Sequence, residues 1–168
     1  MKSMDPLQIP TPLNRLSAWL DDMARPWQRQ LLVVYEPDER VLAQIVALTA
    51  DRHRMVRIDF DRRLTLVQSL RKIVDAAGLD PTRRTGFDLH EQLERNPGPR
   101  LVRFTVKPDR NLLLMLAELA DAGRGPYLAC STRRDLVEVV MDRTQDNRLG
   151  SRSAVCPHNL RPSGIRST

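Results

Sequence analysis

Residues 31–50 read LLVVYEPDERVLAQIVALTA. The apolar run at 31–35 has the continuous pattern of a strand buried on both faces, rather than the alternation of a half-exposed one. Pro37 then stands in a polar turn, EPDER, and apolar residues return at Val41, Leu42, Ile45 and Leu48, the spacing of one helix face over residues 41–51. The stretch is therefore a strand, a turn and a helix. That unit places Glu36, Pro37, Asp38, Glu39 and Arg40 at the carboxyl end of a strand, where open parallel sheets bind their ligands.

The unit repeats along the chain. Residues 55–60 (MVRIDF) form a second strand and residues 64–77 an amphipathic helix stopped by Gly78. A short helix over 87–95 precedes the turn Asn96-Pro97-Gly98-Pro99, and residues 101–106 are a third strand. A strongly apolar helix over 111–122, a fourth strand over 126–131, a helix over 135–143 and a last short strand over 153–156 complete the series. Upstream, Thr11 and Pro12 have the chemistry of an N-cap and a first helical residue, and Leu13, Leu16, Trp19, Leu20 and Met23 share a face until Pro26 ends the pattern. Strands alternating with helices predict an α/β, three-layer domain with a central parallel sheet of four or five strands. Residues 1–10 read as a flexible segment, 11–156 as the core and 157–168 as a basic, disordered tail.

The chain has 168 residues, 41% apolar and 29% charged, an ordinary globular mixture for one domain. Its net charge of +6 comes almost wholly from arginine, since Lys2, Lys72 and Lys107 are the only lysines. No secretory signal or membrane-length apolar run is present, so a cytoplasmic protein without a membrane partner is expected. Cys130 and Cys156 read as buried apolar residues; a zinc set of these two with His158 fits no usual ligand spacing. His53 and His90 stand alone, and the pair Asp59 and Asp61 is followed by Arg62 and Arg63, which predicts ion pairing rather than a metal site.

The order and spacing of these elements resemble the ATPase core of the AAA class, and more narrowly the DNA-transposition ATPases of the phage Mu B and TnsC kind. The stretch TPLNRLSAWLDDMARPWQRQLLVVYEP is similar to their opening helix and first strand, and RLTLVQSLRKIVDAAGLD to the helix after their second strand. RLVRFTVKPDRNLLLMLAELADAGRGPYLACSTRRDLVEVV stands in the place of their acidic strand, sensor strand and adjoining helices, and RLGSRSAVC resembles the stretch with a Ser-Arg pair before the fifth strand. The resemblance implies a P-loop NTPase core, here without the helical lid, with the strands of 31–35 and 126–131 adjacent near its middle. It places EPDER at the phosphate-loop position, Ser131 and Thr132 at a sensor position, and Arg152 where an arginine acts in trans on a neighbour's nucleotide.

The chemistry of that site is absent from these positions. A phosphate loop needs glycines that turn backbone N–H groups toward the phosphates, a lysine for the terminal phosphates and a hydroxyl for magnesium. EPDER has none of these, and no glycine precedes Gly78. The third strand ends Thr105-Val106-Lys107 instead of in paired acids, leaving Asp109 as the nearby carboxylate. The expectation is a pseudoenzyme: a non-hydrolysing AAA-like binding or assembly module with no cofactor, in a mobile-element or phage setting. The alternatives are a divergent ATP-binding protein or ATPase of the transposition type, and a truncated gene remnant without activity.

Two partners follow from the same reading: duplex DNA bound weakly and salt-sensitively, and an active AAA-type protein. The candidate nucleic-acid contacts are Arg62, Arg63, Arg133, Arg134, Arg148, Arg152, Arg161 and Arg166. From Arg143 onward five arginines face the single Asp146, a net +4. Aromatic residues are 4% of the chain, which favours backbone contacts on duplex over stacking on single strands.

Overall fold

The computed structural model describes residues 30–142, 144 and 148–156. The helix expected from Thr11, the tail over 157–168, and with it His158, Arg161 and Arg166, lie outside these. The described chain runs β1 (Leu31–Tyr35), α1 (Glu39–His53), β2 (Val56–Phe60), α2 (Leu66–Ala76), α3 (Gly86–Arg95), β3 (Arg100–Phe104), α4 (Arg110–Asp121), β4 (Tyr127–Ser131), α5 (Asp135–Met141), α6 (Arg148–Ser151) and β5 (Ser153–Val155). The strands form one sheet in the order β2-β3-β4-β1-β5, and every pairing is parallel. β1 and β4 are neighbours in its middle, Val33 opposite Ala129, as the resemblance implies.

Strand pleating sends alternate residues to opposite layers. Leu31, Val33, Ile58, Val102, Phe104, Tyr127 and Ala129 pack with the buried faces of α2 to α6, while Leu32, Val34, Leu101, Leu128 and Cys130 pack with Leu42, Ile45 and Val46 of α1. The fold is thus helix, sheet, helix: the three-layer α/β architecture of a P-loop, AAA-like core. β1 and β4 lie inside the sheet with partners on both sides, which explains their uninterrupted apolar sequences.

Helix boundaries follow the caps. α1 begins at Glu39, two residues before the apolar pattern, because the Asp38 carboxylate accepts from the N–H groups of Arg40 and Val41. α2 begins after Thr65, whose hydroxyl accepts from the Gln68 N–H while the Gln68 side chain accepts from the Thr65 N–H, so residues 64 and 65 fall outside the helix. Leu48, expected to face inward, is 54% exposed. The buried stripe is Leu42, Ile45, Val46 and Thr49, and at 100° per residue Leu48 lies about 110° round from its centre. The third strand stops at Phe104 rather than running to residue 106, and α6 lies in a stretch where no helix was expected.

The turns before β3 and β4 touch at Gly98 and Gly125. The Gly98 N–H donates to Arg124 O at 3.0 Å, Gly125 has φ +111°, and a Cβ on Gly125 would lie 2.3 Å from Gly98 O. Gly78 also has positive φ, +76°, with nothing within 4 Å of a Cβ. Gly125→Ala is accordingly expected to destabilise the fold by about 3 kcal/mol or more, from strain plus a backbone clash, and Gly78→Ala by about 1 kcal/mol from strain alone. Urea unfolding of the two variants checks the difference; equal costs would contradict it.

Candidate functional site

All five strands point the same way, so the loops after them gather at one end of the sheet. EPDER follows β1 there. The Glu36 N–H donates to Ser131 O at 3.1 Å, extending the β1–β4 ladder by one residue, and leaves the Glu36 side chain 3% exposed at the head of the turn. Its carboxylate accepts from the Asp38 N–H at 2.7 Å. The Asp38 carboxylate in turn accepts from Arg40 N–H at 2.9 Å and Val41 N–H at 3.4 Å. Pro37 has no N–H to offer.

Three amides here, those of Asp38, Arg40 and Val41, are therefore bonded to the loop's own carboxylates. A helix N-terminus attracts anions because its first N–H groups lack partners, and here Asp38 supplies the anion from within the chain. Glu39 adds a third carboxylate and pairs with Arg103 of β3.

Ser131, which the resemblance places at a sensor position, is fully buried. Its hydroxyl donates to Phe104 O at 2.7 Å and accepts from the Arg133 N–H at 2.9 Å, tying β4 to β3 and to the loop that follows. Thr132 is half-buried beside it. Arg133 lies against its near neighbour Asp135, with Nε and Nη2 at 2.9 and 2.5 Å from Oδ2, and Arg134 Nε is 3.9 Å from Glu138.

Arg62 and Arg63 follow β2 at the same end of the sheet and are exposed, with no ion-pair partner among the described residues. Asp59 pairs with Arg57 at 3.3 Å, not with Arg62 or Arg63, because residues two apart on a strand share a face. Arg62 and Arg63 line a cleft of about 450 Å³ whose other wall carries Lys107 and Asp109 of the loop after β3 and Arg110 at the start of α4. Arg148 and Arg152 lie elsewhere. Arg152 stands at the start of β5, its carbonyl accepting from Leu31 N–H at 2.9 Å, so it belongs to the opposite end of the sheet, with Nε 3.6 Å from Asp121. One flat surface does not collect all the arginines named from the sequence.

Lys107 and Arg110 were not singled out as part of a basic site by sequence reasoning. The signal that finds them is the pairing of β2 with β3, which brings the loops after the two strands together. Among the described residues no group of three or more His, Cys, Asp or Glu is placed to hold a metal ion. Cys130 and Cys156 are reduced and buried on either side of Val34, two strand spacings apart at about 9.6 Å, too far for a disulfide.

The sequence matches no protein-family model and no curated protein. Among solved structures the fold is similar to a chain of Drosophila ORC bound to AT-rich DNA and Cdc6, at 11% identity and a TM-score of 0.50. That match covers 85% of this chain and 55% of the other, so this chain spans about half the length of its structural relative. Identity at that level speaks for the fold alone. No helix among the described residues is long and apolar enough to cross a membrane.

Burial pushes both thiols up from an ordinary 9.0 to about 12, at Cys130 against the opposing pull of Arg103. The folded chain thus keeps these protons to higher pH than the unfolded chain, so the stability they contribute is intact below pH 9 and is lost between about pH 9 and 12. The difference in unfolding free energy between the native protein and its Cys130→Ala, Cys156→Ala double variant is expected to shrink over that window. The slope is up to about 1.4 kcal/mol per pH unit for each thiol. Parallel pH profiles would contradict it.

Proposed function

We propose that this chain is a pseudo-ATPase: an AAA-like module that neither binds nor hydrolyses ATP and serves to bind duplex DNA or to assemble with a partner, in a mobile-element or phage setting. The observation that carries the first half is the hydrogen bonding of EPDER, where the carboxylates of Glu36 and Asp38 hold the Asp38 and Arg40 amides and that of Val41 just after them. A triphosphate brought to this turn meets three carboxylates and no lysine, and like charges at that range repel. Phosphoryl transfer depends on electrostatic stabilisation, and Asp109, the nearby acid after β3, is engaged in capping α4.

The second half rests on Arg62 and Arg63, two guanidinium groups exposed at the end of a parallel sheet without carboxylate partners, a chemistry suited to phosphodiester oxygens. The structural relative, in complex with AT-rich DNA and Cdc6, makes DNA or a partner protein a fitting ligand for a similar fold. Arg152 favours assembly as a second reading. It projects from the opposite end of the sheet and is one third exposed, so a neighbour docking there would meet a guanidinium held by Asp121.

The purified protein is expected to retard duplex DNA at low salt, with affinity falling steeply toward physiological salt through counterion release. Replacing Arg62 and Arg63 by alanine lowers the log–log salt slope by about 1.8, from 0.9 per phosphate contact. Binding indifferent to salt, or none at low salt, would remove the DNA reading. Magnesium-dependent ATP turnover that disappears in Asp109→Ala or Arg152→Ala would replace the pseudo-ATPase reading with a divergent ATPase.

A further inference from the structure

The cleft between the loops after β2 and β3 is a separate feature from the closed turn after β1. Its floor is the ends of the two strands, Phe60 and Phe104, stacked with ring centroids 5.4 Å apart and each 2% exposed. Its two walls are held together by the loop backbone: the Thr105 N–H and hydroxyl both donate to Phe60 O, at 2.9 and 3.2 Å. This ties the backbone leading to Lys107 to the end of β2 that leads to Arg62 and Arg63. At about 450 Å³ the cleft falls within the roughly 300–1,000 Å³ of small-molecule sites.

The charges on its walls do not cancel. Among the described residues that line it, Arg62, Arg63, Lys107 and Arg110 face two carboxylates, Asp109 and Asp142, a net +2. Both acids are turned to local partners. Asp109 accepts from Asn111 N–H at 3.1 Å, and Asp142 from the Thr144 N–H and hydroxyl at 2.9 and 2.6 Å. Those hydrogen bonds from Thr144, with Arg110 adding to them, hold the Asp142 carboxyl below its usual range, so it stays ionised and satisfied. Arg62, Arg63 and Lys107 have no such partner among the described residues. Ser69, a residue 3% exposed, also lines the cleft, and its hydroxyl makes no hydrogen bond to a described group.

We propose that this cleft binds a phosphoryl group, with Lys107, Arg62 and Arg63 as its cationic contacts and the Ser69 hydroxyl as a neutral donor at its base. Guanidinium and ammonium groups surrounding a compact space suit tetrahedral oxyanions, and a hydroxyl on a largely buried residue adds a neutral donor. The phosphoryl group is either a phosphodiester of duplex DNA, in which case the inference rests on the function proposed above, or part of a free phosphorylated small molecule.

The test is a titration of the full chain with inorganic pyrophosphate at constant ionic strength, followed by backbone amide NMR. Saturable shifts of the Ser69, Arg63 and Lys107 amides are expected, with binding weakened about tenfold by Lys107→Ala, the size of one charge-assisted hydrogen bond. Ser69→Ala weakens it by a smaller factor, and Arg95→Ala, which removes an ion pair with Glu91 away from the cleft, leaves it unchanged. Absence of saturable shifts, or equal binding by Lys107→Ala, overturns the site whatever duplex DNA does. Displacement of pyrophosphate by a short duplex identifies the ligand as the DNA backbone. Pyrophosphate binding that a duplex does not displace supports the site with a small phosphorylated ligand, and counts against Arg62 and Arg63 as DNA contacts.

Discussion

Parallel pairing of β1 with β4 is the constraint on which the site depends. Their ladder runs from Leu31 opposite Tyr127 to Tyr35 opposite Ser131 and continues through the Glu36 N–H to Ser131 O. That last bond delivers Glu36 to a position where its side chain is buried and the Asp38 N–H is within reach, and Asp38 then starts α1. Backbone geometry, carboxylate capping and helix direction are thus coupled within five residues. A glycine-rich loop at this point would leave its amides open to a ligand; EPDER spends them on itself.

The hydroxyl at the end of β4 has a structural role. Ser131 uses both hydrogen-bonding capacities of its hydroxyl to join β4 to the Phe104 carbonyl and to the Arg133 amide. A buried hydroxyl with both needs met contributes to stability and offers nothing to an attacking water. Basic chemistry sits one strand pair further along, after β2 and β3, where Arg62, Arg63 and Lys107 face solvent with no ion-pair partner among the described residues. The two ends of the sheet also differ in kind: Arg152, at the end where strands begin, is tied to Asp121.

The fold was legible because its signals are local and agree with one another. The uncharged runs of β1 and β4, the Gly78 stop after α2 and the alternation of strand and helix periods each point to a doubly covered parallel sheet. Details that depend on neighbours were less legible. Leu48 looks apolar and periodic, yet burial chose Thr49, whose position on the stripe outweighs its hydroxyl. α6 has only four residues and lacks a periodic pattern to detect. At the site, the absence of phosphate-loop chemistry could be read from EPDER directly, whereas the bonding of its amides to Glu36 and Asp38 is a matter of geometry. Lys107 and Arg62 are 45 residues apart, and only the β2–β3 pairing brings their loops together.

The central claim is that the turn after β1 is closed by its own carboxylates, and amide hydrogen exchange at Asp38, Arg40 and Val41 tests it most directly. The account predicts that the Asp38 and Arg40 amides are protected in the free protein and that millimolar magnesium–ATP changes neither their exchange nor their chemical shifts. Rapid exchange of both amides in the free protein, followed by protection when magnesium–ATP is added, would show an open phosphate loop and contradict it.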